Sequence, residues 1–233
     1  MTFLHKLGRV RARLARNKFV RLPQGSSELK RLIESPLRNE RYGVWSDGTL
    51  AEHSDAVKAI HGDFMEIGTA YGKTFNRVAR IAHAQGKLAH AVDSFQGMAP
   101  PGEHDRTDEH GAHFKGKFAV GGAEGFCRLI DAYGVPRDHY RTHEGWIPDV
   151  FATMPQDLAL SFAIIDVDHY APTRDALDWV WPRMSPGGRM LLDDCGLYWD
   201  RESTRAIKEF LAERTGYWIV RYENNQLVLR KDA

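Results

Sequence analysis

The chain has 233 residues, 42% of them hydrophobic and 27% charged, with a formal net charge of +1. That is the profile of one full-sized soluble domain with at most an appendage, and it excludes a global field that would draw nucleic acid. No apolar run approaches the ~20 residues of a membrane span, the first residues lack the apolar core and cleavage site of a signal peptide, and Cys127 and Cys195 make no disulfide framework. The expected setting is cytoplasmic and reducing.

Residues 1–25 read as a basic arm. The stretch KLGRVRARLARNKFVR is dense in Lys and Arg and holds no acid, and Leu4, Leu7, Val10 and Leu14 recur at helical spacing. Such a helix can make a weak contact with an anionic membrane surface; a solvated arm is the plainer alternative. Residues 26–61 read as a helical cap. SSELKRLIESPLRNE is a short helix with Ser27 as its cap and Pro36 as its end, and HSDAVKAIHG is a second, stopped by Gly62.

From residue 62 onward, strand and helix alternate. DFMEIG is an apolar strand, TFNRVARIAHA an amphipathic helix, and KLAHAVDSF a strand ending near Asp93. Residues 96–118 are rich in Gly, Pro, His and charge, and loops of that length are usually functional. A helix follows at about 121–133, closed by Gly134 and Pro136. HYRTHEGW, LSFAIIDVD and GGRMLLDD are three further strands, with a helix over 172–183 between the last two. ESTRAIKEFLAERTG is a helix, and YWIVRYENNQLVLRK is two strands folded at a tight turn. The alternation predicts an α/β fold: a mostly parallel sheet with a reversed last strand and helices on both faces. In such a sheet ligands sit beyond the carboxyl ends of the strands.

The loop after the first strand, Gly-Thr-Ala-Tyr-Gly-Lys-Thr from Gly68, is one residue short of a phosphate-binding P-loop. It also carries Ala70 where a dinucleotide fingerprint needs its second glycine. The strand ends are acidic instead: Glu66, Asp93, Glu144, Asp166 with Asp168, and Asp193 with Asp194. Carboxylates there repel a triphosphate and suit a cofactor with ribose hydroxyls and positive charge. Asp93, 25 positions after Gly68, is placed to accept ribose hydroxyl protons; an ordinary turn residue is the competing reading. Gly68 and Gly72 let the backbone pass close to that cofactor. Asp166, Asp193 and Asp194 follow two strands expected to be neighbours. Three carboxylates at one rim repel each other, and a hard divalent cation relieves the conflict. The bland alternative is that Asp193 or Asp194 only caps the next loop.

The order EIGTAYGKT, VDSFQG, HEGWIPDVF, IIDVDHYAPTRDAL, SPGGRMLLDDCG resembles the TylF-type O-methyltransferases over roughly residues 37–230. Its most specific part is Asp-x-Asp-x-Tyr-x-x-Thr followed by Pro-Gly-Gly and Asp-Asp. The resemblance implies a class I methyltransferase domain over 62–233, S-adenosylmethionine, Mg²⁺, a sugar hydroxyl of a small molecule or glycan as acceptor, and a homo-oligomer. Carried over by position, Asp166, Asp193 and Asp194 are metal ligands and Glu66, Gly68 and Asp93 bind the cofactor. The cofactor site drawn on this basis also takes in Thr69, Tyr71, Gly72, Thr74, Ser94, Gly145, Trp146 and Asp166. Trp146, like Trp179 and Trp181, also reads as packing. The chain departs from the family's pattern at Val167, His169, Ala171 and Cys195, all beside the metal, which bears on the acceptor more than on the reaction.

Methyl transfer to oxygen needs a base. His169, three positions after Asp166, is the leading candidate, with Asp166, Asp168 and His143 as alternatives. Residues 96–118 are expected to cover the acceptor, with His104, His110, His113, Tyr42 and Trp45 as pocket candidates. The rival readings are a catechol-type methyltransferase on a small diol, an NAD-dependent oxidoreductase, a P-loop NTPase and a non-catalytic binding module.

Overall fold

The structure is a computed structural model that describes residues 45–105, 115–196, 202–223 and 225–232. The basic arm, the first cap helix, Tyr42, His110 and His113 lie outside the described residues.

The elements in chain order are α1 (Asp47–Asp55), β1 (Asp63–Ile67), α2 (Phe75–Ala84), β2 (Ala89–Asp93), α3 (Gly122–Ala132), β3 (Tyr140–Glu144), β4 (Leu160–Ile165), α4 (Tyr170–Arg183), β5 (Met184–Leu192), α5 (Glu202–Glu213), β6 (Tyr217–Glu223) and β7 (Gln226–Lys231). Short 3₁₀ turns at Arg137–His139 and Asp149–Thr153 flank β3. The strands form one sheet in the order β3-β2-β1-β4-β5-β7-β6. Neighbours from β3 to β5 pair in parallel, and β7 runs antiparallel to both β5 and β6. The expected reversed last strand is therefore present, but it lies inside the sheet, between β5 and the edge strand β6. The chain winds outward from β1 to β3, returns to β4 and winds the other way. The crevice between the carboxyl ends of β1 and β4 is thus the switch point where such sheets bind ligands.

Alternation along the strands builds two cores. Met65, Ile67, Ala163, Ile165, Met190 and Leu192 face the side covered by α4 and α5. Phe64, Phe162, Ile164, Leu191 and Val228 face the side covered by α1, α2 and α3. The α2 residues Phe75, Val78, Ala79 and Ala82 are buried, the spacing of a helical stripe; each large side chain so placed contributes roughly 1.5–3 kcal/mol. In β1, Glu66 sits one strand step from Phe64 on the second face. By the β4–β5 register, in which Ile165 pairs with Leu192, Asp166 and Asp193 follow side by side on that face.

The second cap helix differs from its expected span. It begins at Asp47 because the Ser46 hydroxyl accepts the Thr49 amide at 3.1 Å, a cap that sets the start. It ends at Asp55, where tighter turns take over, with Val57 N donating to Ser54 O at 3.2 Å and Ile60 N to Val57 O at 2.9 Å. Lys87 Nζ donates to the carbonyls of Val57 and Ile60. Trp45, proposed for the acceptor pocket, is instead buried in the core beside Leu50 and Phe64.

Candidate active site

The glycine loop is shaped first by the protein's own packing. Gly68 has φ +83°, and a Cβ there would lie 1.8 Å from the Asp166 carbonyl oxygen, so no other residue fits. A Cβ on Gly72 would meet Ile130 Cδ1 at 2.4 Å. The glycines thus let β1 turn tightly against the end of β4 and against α3.

The amides of this loop hold a carboxylate. Asp93 Oδ2 accepts Thr69 N at 2.8 Å and Ala70 N at 3.2 Å, and Asp93 Oδ1 accepts Phe95 N at 2.8 Å. Those amides are the ones a P-loop or dinucleotide loop would offer to phosphate, so the loop is already filled by β2's terminal acid. A carboxylate accepts about four hydrogen bonds, which leaves Asp93 limited capacity for a ribose. Its register partner on β3 is Glu144, an exposed carboxylate beside it. Ser94 closes the next turn, its hydroxyl donating to Gly97 O at 2.9 Å and accepting Gln96 N at 3.1 Å. Thr74 lies at the start of α2, nearly buried. Tyr71 is 44% exposed and meets Phe118 edge-on at 5.9 Å, and Trp146, after Gly145, is 42% exposed. Trp146 is therefore not core packing, whereas Trp179 and Trp181 pack against the core.

Glu66 is 2% exposed, and its Oε2 has no hydrogen-bond partner. Burial, with Asp93 and Asp193 nearby, pushes its carboxyl well above the usual range against the pull of Arg77. An orphaned buried carboxyl oxygen at the switch point fits a cationic or amino group of a ligand.

Asp166, Asp168 and Asp194 each offer an oxygen, all within 4.8 Å of one another. Burial and the surrounding acids Asp193, Asp168, Asp194 and Glu66 push Asp166 well up. Burial and its acidic neighbours Asp193 and Asp168 raise Asp194 to about 9. Asp193 is pushed up to about 6 by burial, against the hydrogen bond it accepts from Gln226 Nε2 at 2.9 Å. Asp168 and Asp194 both have positive φ, +60° and +49°, an uncommon conformation that recurs at functional sites. The strain is held by α5: Ser203 N donates to Asp168 O at 3.1 Å, and Thr204 Oγ1 donates to Asp194 O at 2.6 Å. The donor set is all oxygen and mutually repelling, which suits a hard dication.

The histidines separate. His169 is buried at 3% exposure and precedes α4. His143 is turned onto His90 Nδ1 at 2.9 Å, and His90 Nε2 lies 3.2 Å from Asp63. Three inter-strand spacings, about 14 Å, separate β3 from β4, so His143 does not reach the acidic group. His104 lies at the other side, its ring edge-on to Tyr170 at 4.5 Å. Sequence reasoning missed the closeness of Asp168 to Asp194, whose signal was the Asp-x-Asp spacing, and gave Glu144, named only as a strand-end acid, no place in the site.

A family model described as macrocin-O-methyltransferase (TylF) matches residues 50–216. The chain is 31% identical over 140 residues to the Streptomyces olivaceus 8-demethyl-8-(2,3-dimethoxy-alpha-L-rhamnosyl)-tetracenomycin-C 4'-O-methyltransferase, covering 58% of this chain and 53% of that one. It is 28% identical over 158 residues to the mycinamicin III 3''-O-methyltransferase of Micromonospora griseorubida, covering 64% and 61%. The matches thus span between about half and three fifths of these curated relatives. The fold matches the solved structure of the O-methyltransferase NovP with a TM-score of 0.65 at 21% identity, over 88% of this chain and 98% of that one. It matches a calicheamicin methyltransferase with a TM-score of 0.62 at 20% identity, over 95% and 96%. With the acidic rim and the glycine loop inside the matched region, the chain belongs to the macrocin-O-methyltransferase (TylF) family.

Proposed function

We propose that this protein transfers the methyl group of S-adenosylmethionine to a sugar hydroxyl of a glycoside natural product or glycan, with Mg²⁺ at the acidic rim. The observation that carries the reading is the convergence of Asp166, Asp168 and Asp194 oxygens within 4.8 Å at the switch point. The sugar-acting names of the relatives support the acceptor class. The phosphate-binding rivals lose support because Asp93 already holds the loop amides.

Asp166 and Asp194, two of the three gathered acids, are proposed ligands, and Asp193, which stands outside that trio, is proposed as the third. Asp193 fits that role because Gln226 fixes its carboxylate from behind, as outer partners of ligands do. A dication held by these carboxylates would lower the pKa of an acceptor hydroxyl. Asp168 takes the proton from the acceptor, since its oxygen stands within 4.8 Å of those of Asp166 and Asp194. His169, the leading candidate from sequence, is buried. Glu66 receives the positively charged amino-acid end of the cofactor. Asp93 orders the glycine loop and, with Glu144 beside it, accepts ribose hydroxyls. Gly68, Thr69, Gly72, Thr74 and Ser94 shape the wall, and Tyr71, Gly145 and Trp146 border the adenine.

The test is methyl transfer from S-adenosylmethionine to a panel of nucleotide-linked deoxysugars, glycosides and catechol. The expected result is turnover on a sugar that stops with EDTA and returns with Mg²⁺. Turnover on catechol alone, or turnover indifferent to EDTA, overturns the reading. No helix among the described residues is long and apolar enough to cross a membrane. A cytoplasmic homo-oligomer with a weak membrane contact through the basic arm completes the proposal, checked by sedimentation and anionic-vesicle binding.

A further inference from the structure

The segment at Gly102–Asp105, from the long connection between β2 and α3, reaches the acid-bearing loops although it supplies none of the gathered acids. Helix α4 starts directly after Asp166-Val167-Asp168-His169, and its own cap residue, His169, makes no side-chain cap bond. The cap comes from 65 residues away: Asp105 Oδ1 accepts the Tyr170 amide at 2.7 Å. Asp105 Oδ2 accepts Gly102 N at 2.7 Å, which fixes the carboxylate plane. A carboxylate at a helix start also meets the positive end of the helix dipole.

The neighbouring residue ties the same point to α5. His104 O accepts Glu202 N at 3.2 Å, and Arg205 Nη1 lies 3.2 Å from His104 Nδ1. Arginine only donates, so His104 Nδ1 is the acceptor in that contact. Arg205 Nε donates to Glu209 Oε1 at 3.0 Å, and Tyr170 OH donates to Glu209 Oε2 at 2.6 Å. The first turn of α5 holds the carbonyls of Asp168 and Asp194. His104 and Asp105 thus join the exit of one acid-bearing loop to the helix that holds both.

We infer that Asp105, with His104, is a positioning residue for the acidic rim: it fixes the Asp166–Asp168 loop against Asp194 and so sets the site's affinity for a divalent cation. The inference rests on the metal reading under Proposed function. It is tested on the full chain with Mg²⁺ alone by calorimetry, with S-adenosylmethionine binding measured in parallel. Asp105→Ala is expected to weaken Mg²⁺ binding about tenfold and leave cofactor affinity within about twofold. Asp105→Asn, which keeps an acceptor oxygen for Tyr170 N, is expected to recover most of the loss. Arg205→Ala, which removes the contact to His104 and the bond to Glu209 but leaves the Asp105 cap on Tyr170 N in place, is expected to show the same pattern at about threefold and decides the matter if Asp105→Ala does not fold. Unchanged Mg²⁺ binding in the alanine variants, a parallel loss of cofactor affinity, or an asparagine variant as weak as alanine overturns the inference. A wild type that takes up no Mg²⁺ overturns the metal reading and this inference with it, whereas a wild type that binds beside an unaffected Asp105→Ala overturns the inference alone.

Discussion

At the residue scale, the acids of the rim have separable roles, and substitutions tell them apart. Asp166→Asn and Asp194→Asn each remove a proposed ligand. Each is expected to lower kcat by at least about a hundredfold and to abolish the rise in melting temperature on adding Mg²⁺. Asp168→Asn is expected to cost about 10²–10⁴ in kcat, the range for a lost general base, while keeping most of that thermal shift. Equal loss of the shift in all three would make Asp168 a ligand and return the base to His169. Gly68→Ala tests backbone geometry instead. Its Cβ would lie 1.8 Å from the Asp166 carbonyl at φ +83°, so a destabilisation of about 3 kcal/mol or more is expected by denaturant melts. A variant as stable as wild type would mean that the loop is not held against β4.

At the scale of elements, the inserted strand β7 links the sheet's far side to the site. Its first residue, Gln226, donates to Asp193 Oδ1 at 2.9 Å, and Asn225 O accepts Cys195 N at 2.6 Å. The β6–β7 hairpin therefore orients a proposed ligand from behind. Gln226→Ala is expected to raise the Mg²⁺ concentration for half-maximal turnover by about tenfold, with little change in S-adenosylmethionine KM. A change in cofactor KM with no change in Mg²⁺ dependence would move Asp193 from the metal to the cofactor. At the opposite edge, β3 is held by the chain of His143, His90 and Asp63. That chain joins neighbouring strands and engages the His143 ring away from the acidic rim.

At the scale of the whole molecule, two sets of buried groups contribute to the dependence of stability on pH in opposite senses. Burial depresses His53 from 6.5 to about 3 and His143 to about 4. The unfolded chain takes up these protons near pH 6.5 and the folded chain does so only at the lower values. The stability they permit is therefore full above about pH 6.5 and lost as pH falls toward 4 for His143 and toward 3 for His53. Asp193 and Asp194 act in the other sense: their values of about 6 and about 9 lie above the unfolded 3.8. Stability is then full below 3.8 and lost as pH rises through 6 and 9. A dication competes with those protons, so the Mg²⁺-induced rise in melting temperature is expected to grow from about pH 5 to 8. Calorimetric scans across that range check it, and a rise that is flat with pH would place the cation away from Asp193 and Asp194.

The fold was legible because its signals are local. Period-two apolar runs such as FAII and RMLL, the stripe of α2 and the turn residues between them each report on a few neighbours in sequence. The acids were legible as strand ends for the same reason. Non-local contacts decided which of those acids meet and what each one holds. Asp168 and Asp194, both at positive φ, gather their oxygens with that of Asp166, while Asp193 beside them accepts a hydrogen bond from a glutamine on a strand inserted next to it. Asp93 is turned onto loop amides by the approach of β1 to β2, and Asp105 caps a helix 65 positions away. Sequence periodicity carries the direction of a strand and the face of a side chain; strand order and the closure of long loops, which only the folded chain possesses, determine which carboxylates come within a few ångströms of one another.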